Sequence, residues 1–127
     1  MKVLKFGGTS VADSISINKV ISILNNNDDN LIIIVSAFGG VTNLLQECLN
    51  LKGKQTEEIL KKIESRHLEV IDHLSSLDEQ SSLKSFLKEK LKELEDIVDA
   101  ISTIDEVTKK TVSKVLTLGE ILSSSII

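Results

Sequence analysis

The chain has 127 residues, 41% hydrophobic and 27% charged, enough for one buried core and too few for a second sizeable domain. Its 15 basic and 19 acidic side chains give a net charge of -4, which argues against nucleic acid or an anionic membrane as a partner. With no Pro, Trp or Tyr and three Phe the core must be aliphatic, and a lone Cys48 excludes an internal disulfide or a cysteine-based zinc cluster.

Val3-Leu4-Lys5-Phe6 predicts a short strand that stops at Gly7-Gly8. Ile17, Val20, Ile21 and Leu24 then fall at helical spacing, with Asp13 or Ser14 as the cap and the polar run 25–30 as the stop. Leu31 to Val35 is a continuous, mostly β-branched run, as expected of a strand buried on both faces. It is the longest apolar stretch and far too short to cross a bilayer. Met1 leads almost directly into the first strand, unlike a signal peptide, so a cytoplasmic setting is expected.

Strand, helix and strand within 1–45 make a parallel βαβ unit with a right-handed crossover. Residues 46–127 read as mainly helical. Ile59, Ile63, Val70 and Leu74 form one stripe, and Leu83, Leu87, Leu91, Leu94, Val98 and Ile101 a second. A turn at 75–78 would fold them into an antiparallel hairpin. A further helix starting near Asp105 would put Val112, Val115, Leu116 and Leu122 on one face. The fold class is therefore α/β: a βαβ unit, a helical hairpin and a further helix.

Lys5-Phe6-Gly7-Gly8-Thr9-Ser10 closes the first strand. The two glycines let the backbone approach a ligand closely, and successive N–H groups can cradle phosphate oxygens. The following helix would aim its positive end there. The Lys5 ammonium could neutralise a transferring phosphoryl group. This is not a Walker A loop, since the lysine precedes the glycines. A plain glycine turn with a solvated lysine has the same spacing.

Phe-Gly-Gly recurs in Ser36-Ala37-Phe38-Gly39-Gly40-Val41-Thr42-Asn43, after the second strand. The carboxyl edge of an open α/β sheet is where ligands bind, and two such loops would form one floor of N–H donors and hydroxyls. Ser36, Thr42 and Asn43 could hold a small polar substrate, or Thr42 and Asn43 could cap a helix starting near Leu44. Glu120, just after Gly119, is a carboxylate beside an apolar face, which a ligand ammonium would satisfy; a solvated helix position is the alternative.

Other residues read as structural. His67 lies on an apolar stripe and His73 on the polar side, at no metal-binding spacing. Cys48 reads as a small buried hydrophobe. The charged run 84–95 reads as a solvated face with i,i+4 pairs.

Val3 to Ala12 resembles the amino-terminal signature of aspartokinases. Val35 to Leu45 resembles that family's second motif, and Leu118-Gly119-Glu120-Ile121-Leu122-Ser123-Ser124 its third, in family order. The resemblance implies the amino-terminal portion of an amino-acid-kinase fold, which transfers the ATP γ-phosphoryl group to the side-chain carboxylate of L-aspartate on the route to lysine, threonine and methionine. By motif position, Lys5 would be catalytic and stabilise the transferring phosphoryl group. Gly7, Gly8, Thr9 and Ser10 would form the phosphate loop with it. Ser36 and Thr42 would contact aspartate, Gly39 and Gly40 would shape that loop, and Glu120 would bind the α-ammonium. Ile121 replaces a basic residue often found there.

The resemblance further implies Mg2+ with ATP, no metal site in this chain, and a homo-oligomeric full-length protein. The motif spacing is also similar to bifunctional aspartokinase–homoserine dehydrogenases. Because the chain covers less than half of the family's kinase domain, it reads as a fragment, inactive alone. A kinase for another small acid and a non-catalytic helical interaction module are the competing readings.

Overall fold

The computed structural model describes residues 1–50, 54–74, 76–104 and 107–127. The element order is β1 (Lys2–Phe6), α1 (Ser14–Asn25), β2 (Leu31–Val35), α2 (Val41–Asn50), α3 (Lys54–Leu74), α4 (Leu77–Ile104) and α5 (Lys109–Ile126). The fold is α/β, as the sequence predicts.

β1 and β2 pair in parallel, Lys2 opposite Leu31 through Phe6 opposite Val35. Alternation places Val3, Lys5, Ile32 and Ile34 on one face and Leu4, Phe6, Ile33 and Val35 on the other. Val35 is buried and Leu4 and Phe6 are half-buried. The expectation of a strand buried on both faces fails within this chain: Ile32, Ile33 and Ile34 are 45%, 43% and 48% exposed and Val3 is 60% exposed. The apolar run specifies a surface suited to burial, but none of the described helices covers the Val3–Ile34 face.

Asp13 is the α1 cap: its Oδ1 accepts the Ser16 N–H at 2.8 Å. That bond, first, holds the Asp13 carboxyl below its ordinary range, and the Arg66 charge adds to the effect. The positive end expected to face a ligand thus already carries a carboxylate. α2 starts at Val41, so Thr42 and Asn43 lie in its first turn and do not cap it. Gly40, at φ 81°, turns the chain sharply enough for its own carbonyl to accept the Leu44 N–H at 3.1 Å.

α3 and α4 form the expected hairpin, bridged near its turn by Lys84 Nζ and Asp72 Oδ1 at 2.9 Å. The turn is shorter than predicted. Leu77 and Asp78 belong to α4, because the Ser76 hydroxyl accepts the Glu79 N–H and its carbonyl accepts the Gln80 N–H. Ser75 lies outside the described residues. So does Asp105, the expected start of the last helix; α5 begins at Lys109, with the Thr108 hydroxyl accepting the Thr111 N–H. On α4, Lys90 pairs with Glu93 at i,i+3 and Lys92 with Asp96 at i,i+4.

α5 packs against α2, α3, α4 and β2, so the amino-terminal unit and the hairpin share one core. Val11, Ile17, Phe38, Val41, Leu45, Ile63, Leu94 and Val115 lie in it, each under 3% exposed. Cys48 belongs to the same cluster, and burial foremost pushes its thiol up to about 11. No helix among the described residues is long and apolar enough to cross a membrane.

Candidate active site

The loops after β1 and β2 meet. Gly39 lies so close to the first loop that a Cβ there would stand 2.8 Å from Ala12 Cα. The Gly39 N–H donates to the Val11 carbonyl at 3.1 Å, and the Ser36 N–H to the Phe6 carbonyl at 3.1 Å. Between the loops opens a cleft of about 550 Å³, lined by Gly8, Thr9 and Ala12 from the first and by Ser36–Gly40 and Thr42 from the second.

The structure therefore brings Gly8, Thr9, Ser36, Gly39, Gly40 and Thr42 around one cleft. Lys5, Gly7, Ser10 and Glu120 do not line it. Lys5 is exposed, on the sheet face shared with Val3, Ile32 and Ile34. Ser10 lines a neighbouring hollow of about 260 Å³ with Phe6, Thr9, Ser16, Lys19, Val20 and Ile23. Glu120 is exposed and has no ion-pair partner among the described residues. It is nonetheless carried close to the second loop. A Cβ on Gly119, the preceding residue, would lie 2.9 Å from the Ala37 Cβ and 3.1 Å from Leu45 Cδ1. A larger residue at 119 would push α5 off that loop.

The expected floor of N–H donors is only partly present. The Ser10 and Val11 N–H groups close turns onto Gly7 and Gly8, and the Val41 N–H is used by Phe38. Hydroxyls of Thr9, Ser36 and Thr42 supply the polar side chains of the cleft. At Gly7 and Gly8 an added Cβ would meet nothing within 4 Å, so open space lies over that backbone, as a phosphate-approaching turn requires. Among the described residues no group of three or more His, Cys, Asp and Glu could hold a metal ion.

One functional candidate, Arg66, escapes sequence reasoning, whereas the apolar stripe already assigns His67 to the core. Arg66 on α3 donates from Nη2 to the Gly39 carbonyl at 2.7 Å and to the Ala12 carbonyl at 3.2 Å, and from Nε to Gly39 at 3.1 Å. Its one signal is composition: it is the single arginine, every other basic residue being lysine. His67 is fully buried, its ring centroid 5.2 Å from that of Phe38. Its Nδ1 pairs with the Ile63 carbonyl at 2.7 Å, while Nε2 has no partner. Desolvation, first, lowers its pKa, so the ring is held neutral.

The family model described as the amino acid kinase family matches residues 1–127. The chain is 35% identical over 125 residues to an aspartokinase of Chlamydia pneumoniae, covering 98% of this chain and 26% of that protein. It is 27% identical over 130 residues to a bifunctional aspartokinase/homoserine dehydrogenase of Buchnera aphidicola, covering 97% of this chain and 16% of the other. The fold matches E. coli aspartokinase III in complex with lysine and aspartate at a TM-score of 0.88 and 23% identity, over 99% of this chain and 27% of that one. The same enzyme with aspartate and ADP gives 0.87 at 22% identity, over the same shares. The chain thus spans about a quarter of the length of the aspartokinases it matches.

Proposed function

The chain belongs to the amino acid kinase family, and from that premise we propose that it is the amino-terminal part of an aspartate kinase's catalytic domain. The observation that carries this reading is the single cleft shared by the two glycine loops. Similarity to aspartokinases along nearly the whole chain supports it, as does the complex of a structural relative with aspartate and ADP. The open space over Gly7 and Gly8 fits an approaching phosphate chain.

ATP, arriving with its Mg2+, would supply the γ-phosphoryl group, and the described residues include no cluster of their own to hold the metal. Gly7, Gly8, Thr9 and Ser10 hold the phosphates. Lys5, at the carboxyl edge of β1, offsets the charge that develops during transfer. Ser36 and Thr42 orient the aspartate side chain, Gly39 and Gly40 shape the loop around it, and Glu120 takes the α-ammonium. A carboxylate oxygen of aspartate then attacks phosphorus, giving 4-phospho-L-aspartate and ADP. Transfer needs charge neutralisation and alignment from both sides of the phosphate chain, so residues 1–127 alone should turn over little. The setting is cytoplasmic and biosynthetic, and the complete protein a homo-oligomer.

The test is an ADP-release assay on the complete gene product that carries this segment. Aspartate should be phosphorylated in preference to other small carboxylates such as acetylglutamate. Lys5→Ala and Glu120→Ala should each lower kcat/KM by about 10²–10³-fold, the scale of losing one charge-stabilising group. Full activity in both variants would sink the assignment, and preference for another acid would redirect it within the family.

A further inference from the structure

We propose that Arg66 is a positioning residue that fixes the spacing between the two glycine loops from behind the cleft. The inference deepens the aspartate kinase reading and rests on it for its kinetic half.

The guanidinium bridges carbonyls 27 residues apart in sequence, Ala12 in the first loop and Gly39 in the second. Both loops are already in backbone contact here, through Gly39 N–H to Val11 O and the close approach of Gly39 to Ala12. Arg66 adds three charge-assisted donors to that junction, in a planar fork that a lysine ammonium cannot reproduce. Among the described residues it forms no ion pair, so its hydrogen bonds serve the two carbonyls alone. The adjacent His67 packs its ring against Phe38, so consecutive residues of α3 grip the second loop at consecutive positions.

Arg66 does not line the cleft. It lines a separate groove of about 580 Å³ together with Gly39, Gly40, Lys62 and Glu69. Gly39 and Gly40 therefore form the wall between the groove and the cleft. Arg66 lines the groove and not the cleft, so it acts on a ligand in the cleft through the two loops, by setting how far Gly8 and Thr9 stand from Ser36 and Thr42. In a transfer between two ligands, one held by each loop, that distance governs alignment and not the affinity for either ligand.

In the complete enzyme, Arg66→Ala should lower kcat by about 10–100-fold, with the KM for ATP and for aspartate each moving less than about threefold. Arg66→Lys, which reaches one carbonyl at a time, should lie between. In the 127-residue chain, Arg66→Ala should speed amide exchange at Gly39 by at least about tenfold while leaving the α4 core amides at Leu94 and Val98 unchanged. An unchanged kcat, a rise in one KM alone, or unaltered Gly39 exchange overturns the proposal. If Arg66→Ala does not fold, Arg66→Lys decides by the same readouts. If the wild-type enzyme leaves aspartate unphosphorylated, the functional reading fails, and the exchange measurement still decides the clamp.

Discussion

Replacing Gly39 by alanine tests the junction of the two loops directly. The new Cβ would lie 2.8 Å from Ala12 Cα, 3.0 Å from the Ala12 carbonyl oxygen and 3.1 Å from its Cβ. Two of these are backbone atoms, so no side-chain rotation relieves the overlap, and the loops must part by about 0.6 Å to reach ordinary contact. Overpacking of this kind costs about 1–3 kcal/mol. Gly→Ala narrows the unfolded ensemble and returns about 0.4–1 kcal/mol. The net loss is about 1–2 kcal/mol, or a urea midpoint lowered by roughly 1 M at an m-value near 1.5 kcal/mol/M. Two controls separate the causes. Gly8→Ala meets nothing within 4 Å and should not destabilise, while Gly40→Ala has open space but φ 81° and should lose about 1–2 kcal/mol to backbone strain. Urea unfolding of the 127-residue chain followed by circular dichroism measures all three. Equal midpoints for Gly39→Ala and Gly8→Ala would show that the loops do not touch at Gly39.

Two further outcomes are expected of the same chain. Because burial holds the His67 ring neutral, the unfolded state binds more protons just below the imidazole's ordinary pKa. Its contribution is complete above about pH 6.5 and is lost as pH falls toward the depressed folded value, with a slope of at most about 1.4 kcal/mol per pH unit. His67→Leu should flatten the urea-midpoint profile between about pH 7 and 5, and an unchanged profile would refute the assignment. The Cys48 thiol, pushed up to about 11 and 1% exposed, should resist a thiol reagent at pH 8 until the chain unfolds. Labelling of the folded chain as fast as a free peptide thiol would contradict its burial.

How much of this was legible in the sequence depends on how far apart the interacting residues lie. Asp13 as a cap, Gly7-Gly8 ending a strand and the stripes of α3 and α4 are local patterns, visible within a few residues. The start of α2 at Val41 was not legible, because it depends on the φ of Gly40, which the sequence only permits. Exposure of Ile32, Ile33 and Ile34 was not legible either: an apolar run states what a strand can bury, not what covers it. Arg66 lies 54 residues from Ala12 and 27 from Gly39, and no periodicity links positions that distant.

The repeated Phe-Gly-Gly shows the limit most clearly. Phe6 is the last, half-buried residue of β1, whereas Phe38 lies three residues past β2, 1% exposed and packed on His67. Gly7 and Gly8 have open space above them, Gly39 is in contact with another backbone, and Gly40 makes a left-handed turn. The same three letters thus leave room for a ligand in one loop and build the wall of its cleft in the other. The repeat alone would assign both pairs of glycines the same task. Their tertiary partners separate them, and place the residue that steadies the wall on α3, outside every motif that the sequence offers.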